Sequence, residues 1–157
     1  MIPMYKRFWS ILAVLQLVLL QAQSLVPVEQ ADGTFGVFEE GRFLALKGRG
    51  PEQVLCDGAG LAMLSKGRLE LFGDRSEKVR LVEAEGVVKA VQRAGQVVYQ
   101  KGEALLLHKG GRNILLCEKV GDWSATEGLI VFHDQSNGTL SVVDKEGEHH
   151  ALADVTE

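Results

Sequence analysis

The chain lacks the residue patterns that most catalytic sites require. It has no G-x-S-x-G nucleophile elbow, no Walker loop, no C-x-x-C and no H-E-x-x-H. Its acidic residues are scattered through turns, so no carboxylate pair stands out for acid–base work. These absences leave no catalytic residue, cofactor or metal to nominate, and the chain is expected to be non-catalytic. It also lacks an excess of positive charge. With 17 basic and 21 acidic residues the net charge is −4, and no basic block interrupts the sequence. A nucleic-acid partner therefore has no electrostatic footprint. Between Arg68 and Cys117 no window keeps the 3.6-residue apolar period for three turns, so no long helix is read there. Proline is scarce, at 3 residues, whereas 18 glycines lie between short apolar runs, as tight turns require.

Cysteine is nearly absent too. Cys56 and Cys117 sit in similar apolar strands, QVLCD and ILLCE, and are read as two buried thiols in preference to a bridge. The overall balance, 46% apolar and 24% charged, is that of a globular domain and excludes disorder as the default.

At the N-terminus, Lys6 and Arg7 precede an apolar stretch from Phe8 to Leu20, followed by the small residues Ala22 and Ser24. This order predicts an export signal over 1–24, cleaved after Ser24 or alternatively after Ala22, and so a periplasmic location. An uncleaved anchor is the alternative. Residues 25–148 then form one domain, and 149–157 a polar tail expected to fray.

The organising stretch is Arg68–Cys117. Leu69 and Leu71 alternate with Arg68 and Glu70, and Val79 and Leu81 alternate with Lys78 and Arg80. That is the period of strands with one face in a core and one in water. LVPVE opens the series, and hairpins are predicted over 34–47, at Lys109-Gly110-Gly111-Arg112 and at Asn137-Gly138. Leu61–Leu64 is apolar without alternation, as in a strand covered on both faces. Gly86 interrupts what reads as a long strand pair, VRLVEAE and VVKAVQ. About a dozen short strands without crossover helices predict an all-β antiparallel sandwich, barrel, jelly roll or propeller. QVLCDGAG, KVRLVEAEG and NILLCEKVGD repeat weakly at an irregular period. His149 and His150 are adjacent, so in a strand they face opposite ways and cannot easily share an ion.

The segments FEEGRFLALKG (38–48), RLELF (68–72), KVRLVEAEGVV (78–88) and EGLIVF (127–132), with the apolar hairpin from Gly102 to Leu116, resemble the OstA-like periplasmic lipopolysaccharide-transport family (LptA/LptC-like). The resemblance implies a twisted β-jelly roll whose apolar groove carries lipopolysaccharide or another acyl lipid towards the outer membrane. Open edge strands would pair with like domains. The groove lining would be Leu69, Leu71, Val79, Leu81, Val97, Tyr99, Leu105, Leu107, Ile130 and Phe132. The same residue types fill a closed core equally well.

A second resemblance competes. The stretch from Trp123 to Gly147 looks like one blade of a TolB-type β-propeller, which implies an exported protein-interaction domain. Blades of ~40 residues, four or more of them, need more chain than remains after cleavage, so such a protein would be a fragment or assemble from several copies. On the sequence alone the transport reading is preferred.

Overall fold

A computed structural model describes residues 25–39, 41–46, 50–57, 60–72, 79–126 and 128–154. The predicted export signal, 1–24, lies outside them. The described residues form fifteen strands and no helix.

Strands follow one another as antiparallel meanders in four sheets. The first sheet holds β1 (Val26–Glu29), β2 (Phe35–Glu39) and β3 (Arg42–Ala45). The second holds β4 (Gln53–Cys56), β5 (Leu61–Ser65), β6 (Arg68–Phe72) and β7 (Arg80–Glu83). The third holds β8 (Val87–Arg93), β9 (Gln96–Lys101), β10 (Ala104–Lys109) and β11 (Arg112–Cys117). The fourth holds β12 (Val120–Ala125), β13 (Leu129–Asp134), β14 (Thr139–Asp144) and β15 (His149–Asp154). β15 comes from the segment expected to fray. It pairs with β14 from Thr139 to Val143.

Turn chemistry explains why neighbours in sequence are neighbours in space. Lys66-Gly67 (φ 50°, 75°), Ala94-Gly95 (φ 43°, 71°) and Gly110-Gly111 (φ 58°, 75°) are two-residue turns with both central residues left-handed. That geometry matches the twist of the strands it joins. The Asn137-Gly138 turn differs from expectation. Its loop has four residues between the paired Asp134 and Thr139, and Asn137 Oδ1 accepts hydrogen bonds from the Thr139 N–H (3.0 Å) and hydroxyl (2.7 Å).

The sheets stack in chain order with an apolar core in each of three gaps. Leu25, Phe35 and Val37 meet Leu61, Met63 and Phe72 between the first two sheets. Ala62, Leu64, Leu69 and Val82 meet Val87, Ala90, Val97 and Tyr99 in the next gap. Val98, Leu105, Leu107 and Cys117 meet Val120, Trp123, Ile130, Phe132 and Val143 in the last. Successive residues of a strand face opposite ways. In β5, Leu61 and Met63 therefore serve one gap, and Ala62 and Leu64 the next. All four are buried, as the unalternating run predicts. Each fully buried Val or Leu contributes about 1.5–3 kcal/mol, so this two-sided cover holds the stack together.

Three sequence expectations change here. A jelly roll interleaves distant strands through Greek-key crossings. Every sheet here is a sequential meander, so the jelly-roll expectation is corrected to a stack of hairpin-built sheets. VRLVEAE and VVKAVQ are not a strand pair. β7 belongs to the second sheet and β8 to the third, and Gly86 (φ 81°) lies in the connection between them. Of the two free cysteines, Cys117 is buried as expected, but Cys56 is exposed and its thiol donates to the Leu25 carbonyl at 3.2 Å.

Candidate interaction surface

The ten proposed groove residues do not converge on one lining. Leu69, Val97 and Tyr99 fill the gap between the second and third sheets, with Leu71 packed against it. Leu105, Leu107, Ile130 and Phe132 fill the gap between the third and fourth. Leu81 in β7 is half exposed, at 50%, and Val79 just before it is exposed as well. A sheet in the middle of a stack sends alternate residues into separate gaps, so these ten line no continuous trough among the described residues.

The titratable groups hold turns and tie sheets. The second and third sheets meet where β4 and β5 approach β8. There, Asp57 Oδ1 accepts from the Gly60 N–H (3.0 Å) and Gln92 Nε2 (3.1 Å), and Asp57 Oδ2 accepts from the Gly95 N–H (2.6 Å). Gln92 Oε1 in turn accepts from the Ala62 N–H at 2.8 Å. Lys89 Nζ donates to the Trp123 carbonyl at 2.9 Å and sits 4.1 Å from the indole centroid, joining the third sheet to the fourth. Arg93 is buried and donates to the Thr126 carbonyl at 2.8 Å, and burial lowers its pKa. Burial raises the pKa of the Cys117 thiol.

Tyr99 is fully enclosed, and its hydroxyl has no hydrogen-bond partner among the described residues. Loss of solvation, with the charge of Glu83, pushes its pKa up to about 12.

Asp144, Glu148 and His150 bring one ligand-type atom each within 4.8 Å of one another. This cluster is built by a turn. Asp144 Oδ1 accepts from the backbone N–H groups of Glu148 (2.8 Å) and Gly147 (2.9 Å), and the Glu148 N–H holds the carboxyl below its usual range. His149 points the other way, stacking on Phe132 at 5.6 Å, so the two adjacent histidines do face apart.

What the stack leaves uncovered is apolar. Strand register puts Val26, Phe38 and Phe43 in one row of the first sheet's outer face, and Val28, Gly36 and Ala45 in the next. None of the six is charged, and Val26 and Phe38 are 48% and 41% exposed. Phe38 and Phe43 lie 5.8 Å apart. Gly36 permits this, because a Cβ there would sit 2.6 Å from Phe43 Cζ. On the fourth sheet the outer rows are Ser124, Val131, Val142 and His150, then His133 and Leu140. Leu129, 46% exposed, pairs with Asp144 at the margin. Thus the first sheet's outer face is apolar, and the fourth sheet's carries Val131, Val142 and Leu140 beside Ser124, His133 and His150.

The sequence reading passed over these positions. The available signal was that FGVF (35–38) and LIVF (129–132) are apolar at both parities, so each strand needs cover on both sides.

No family model matches the chain, and no curated protein matches it in sequence. Among solved structures, the N-terminal domain of Nup159, a β-propeller, superimposes with a TM-score of 0.60 at 11% identity, over 87% of this chain and 42% of that one. Hsv2 of Kluyvelomyces marxianus, also a β-propeller, gives 0.49 at 15% identity over 86% and 46%. Glutaminyl cyclase of Myxococcus xanthus gives 0.34 at 16% identity over 74% and 59%. The chain therefore spans less than half of each of the first two. The Nup159 domain is a propeller and not an OstA-like protein, which overturns the OstA resemblance together with the lipopolysaccharide-transport reading drawn from it.

Proposed function

We propose that this chain is a non-catalytic protein-interaction module built as an arc of propeller-type sheets, working through the apolar faces at its two ends. The observation that carries the reading is the construction of those faces. Val26, Phe38 and Phe43 at one end, and Leu129, Val131 and Val142 at the other, repeat the residue types that fill the three internal gaps. Soluble proteins rarely leave such surface in contact with water. The Nup159 superposition supports the arc, since propeller sheets pack face to face in sequence order. The non-catalytic part rests on the roles of Asp57, Lys89, Arg93 and Asp144, which are engaged with backbone groups that hold turns and join sheets. The location proposed is outside the cytoplasm, on the order of charge, apolar run and small residues in 1–24.

The test is a photo-crosslinking residue placed at Phe38 or at Val131 of the full chain, in the cells that make it. Protein adducts at both positions, and none at exposed Glu85, are expected. Lipid adducts, or no adduct at either face, would refute the proposal.

A further inference from the structure

We infer that the two end faces cover each other across two copies of this chain, the first sheet of each packing on the fourth sheet of the other, so that eight sheets close a ring. The inference rests on the interaction reading above and names its partner.

Three observations lead to it. First, the two faces differ and suit one another. The first sheet's outer face has no charge in its six central positions and carries the protruding pair Phe38 and Phe43. The fourth sheet's outer face carries the smaller Val131, Val142 and Leu140, with Ser124, His133, Asp144 and His150 around them. Second, the junction required is of a kind the chain already makes. Each internal gap joins the later-facing side of one sheet to the earlier-facing side of the next. The fourth sheet's outer face is a later-facing side, and the first sheet's is an earlier-facing side. Third, the chain superimposes on 42% of a propeller chain, so one copy is an arc and a second would fill most of what is left of the ring.

Area distinguishes a closed pair from an open series. With strands about 4.8 Å apart and a rise of about 3.3 Å per residue, the four-stranded face measures about 400 Å² and the three-stranded one about 200 Å². The smaller face limits the footprint to about 200 Å² on each partner, so one junction buries about 400 Å², far below the ~1,000 Å² of a stable interface. Two junctions made together bury about 800 Å², twice as much and approaching that bound. A two-fold pair makes both at once and leaves no end exposed, whereas a head-to-tail series leaves two.

The pairing is tested by sedimentation of the full chain as cells produce it, at micromolar concentration. A mass of two chains is expected. Val131→Asp and Phe38→Lys should each weaken association on the order of 100-fold, because each places an unpaired charge in both junctions. An equal mixture of the two variants should recover a dimer, since one junction then joins Asp to Lys and the other joins two unaltered faces. Leu115→Asp, on β11 and away from both faces, should leave the dimer intact. A second measurement avoids core-like substitutions altogether. Val26→Cys mixed with Val131→Cys, both on a Cys56→Ser background, should give oxidised dimers only as the mixed pair. A monomeric wild type, a dimer that survives Val131→Asp, or disulfide-linked dimers formed by either cysteine variant alone would overturn the inference. Crosslinks at Phe38 and Val131 to a different protein would overturn it as well, while leaving the interaction reading standing.

Discussion

Replacing Tyr99 with phenylalanine should stabilise this protein, although Tyr99 is among its most deeply buried side chains. Its ring packs between the second and third sheets, yet its hydroxyl meets no partner among the described residues. A buried polar group without a hydrogen bond costs about 1–3 kcal/mol. Phenylalanine keeps the ring contacts and removes only the oxygen, so a gain of about 1–2 kcal/mol is expected at neutral pH. Alkaline titration supplies an independent readout. Folding holds the phenol near 12, against about 10 when unfolded, chiefly through burial and secondarily through Glu83. Between those values the unfolded chain gives up its proton and the folded chain retains it. Unfolding then releases a proton, and stability falls as pH rises. The contribution is fully present below pH 10 and is lost through pH 12, amounting to about 2–3 kcal/mol. Denaturant unfolding, followed by the fluorescence of buried Trp123 at one protomer concentration, measures both effects. The wild type should lose stability from pH 10 to 12, and Tyr99→Phe should lose less by that amount. A variant less stable than wild type at pH 7, or one with an unchanged alkaline slope, would refute the reasoning.

Two further expectations concern how the sheets are joined and turned. Lys89→Met keeps the aliphatic stem but loses both the hydrogen bond to the Trp123 carbonyl and the contact with the indole face; a loss of about 1 kcal/mol in denaturant unfolding is expected, and no loss would mean that the tie between the third and fourth sheets is idle. Gly67→Ala and Gly95→Ala both place a side chain at positive φ, but only at Gly67 would the new Cβ meet backbone, 2.9 Å from the Gly86 nitrogen. Gly95→Ala should cost about 1–2 kcal/mol and Gly67→Ala at least about 1 kcal/mol more; equal costs would show that the approach of the β5–β6 turn to the connection between sheets carries no weight.

The weak repeat shows how far the sequence could be read. KVRLVEAEG and NILLCEKVGD do correspond, covering β7 and β11, each the last strand of its sheet and the lead into the next. QVLCDGAG covers β4, the first strand of its sheet, so counting it as equivalent made the period irregular. All three are apolar runs followed by an acidic residue and glycine. Only the pairing pattern separates first strands from last. The size objection to a propeller is met only in part: four sheets make an arc, but short strands and tight turns such as Lys66-Gly67 fit a sheet into less chain than the ~40 residues of a typical blade.

Strands and turns were written locally. Period-two patterns at Leu69–Leu71, glycines at left-handed positions such as Gly95 and Gly111, and the two-sided run Leu61–Leu64 each act over a few residues, and each formed as read. Which hairpins share a sheet, and which gap each apolar side chain enters, were decided only in the tertiary structure. Val97 and Val98 are the same residue type in the same strand, yet one packs towards the second sheet and the other towards the fourth. A trough for lipid and a gap between stacked sheets ask for the same oily side chains, and only the position of the facing sheet distinguishes them.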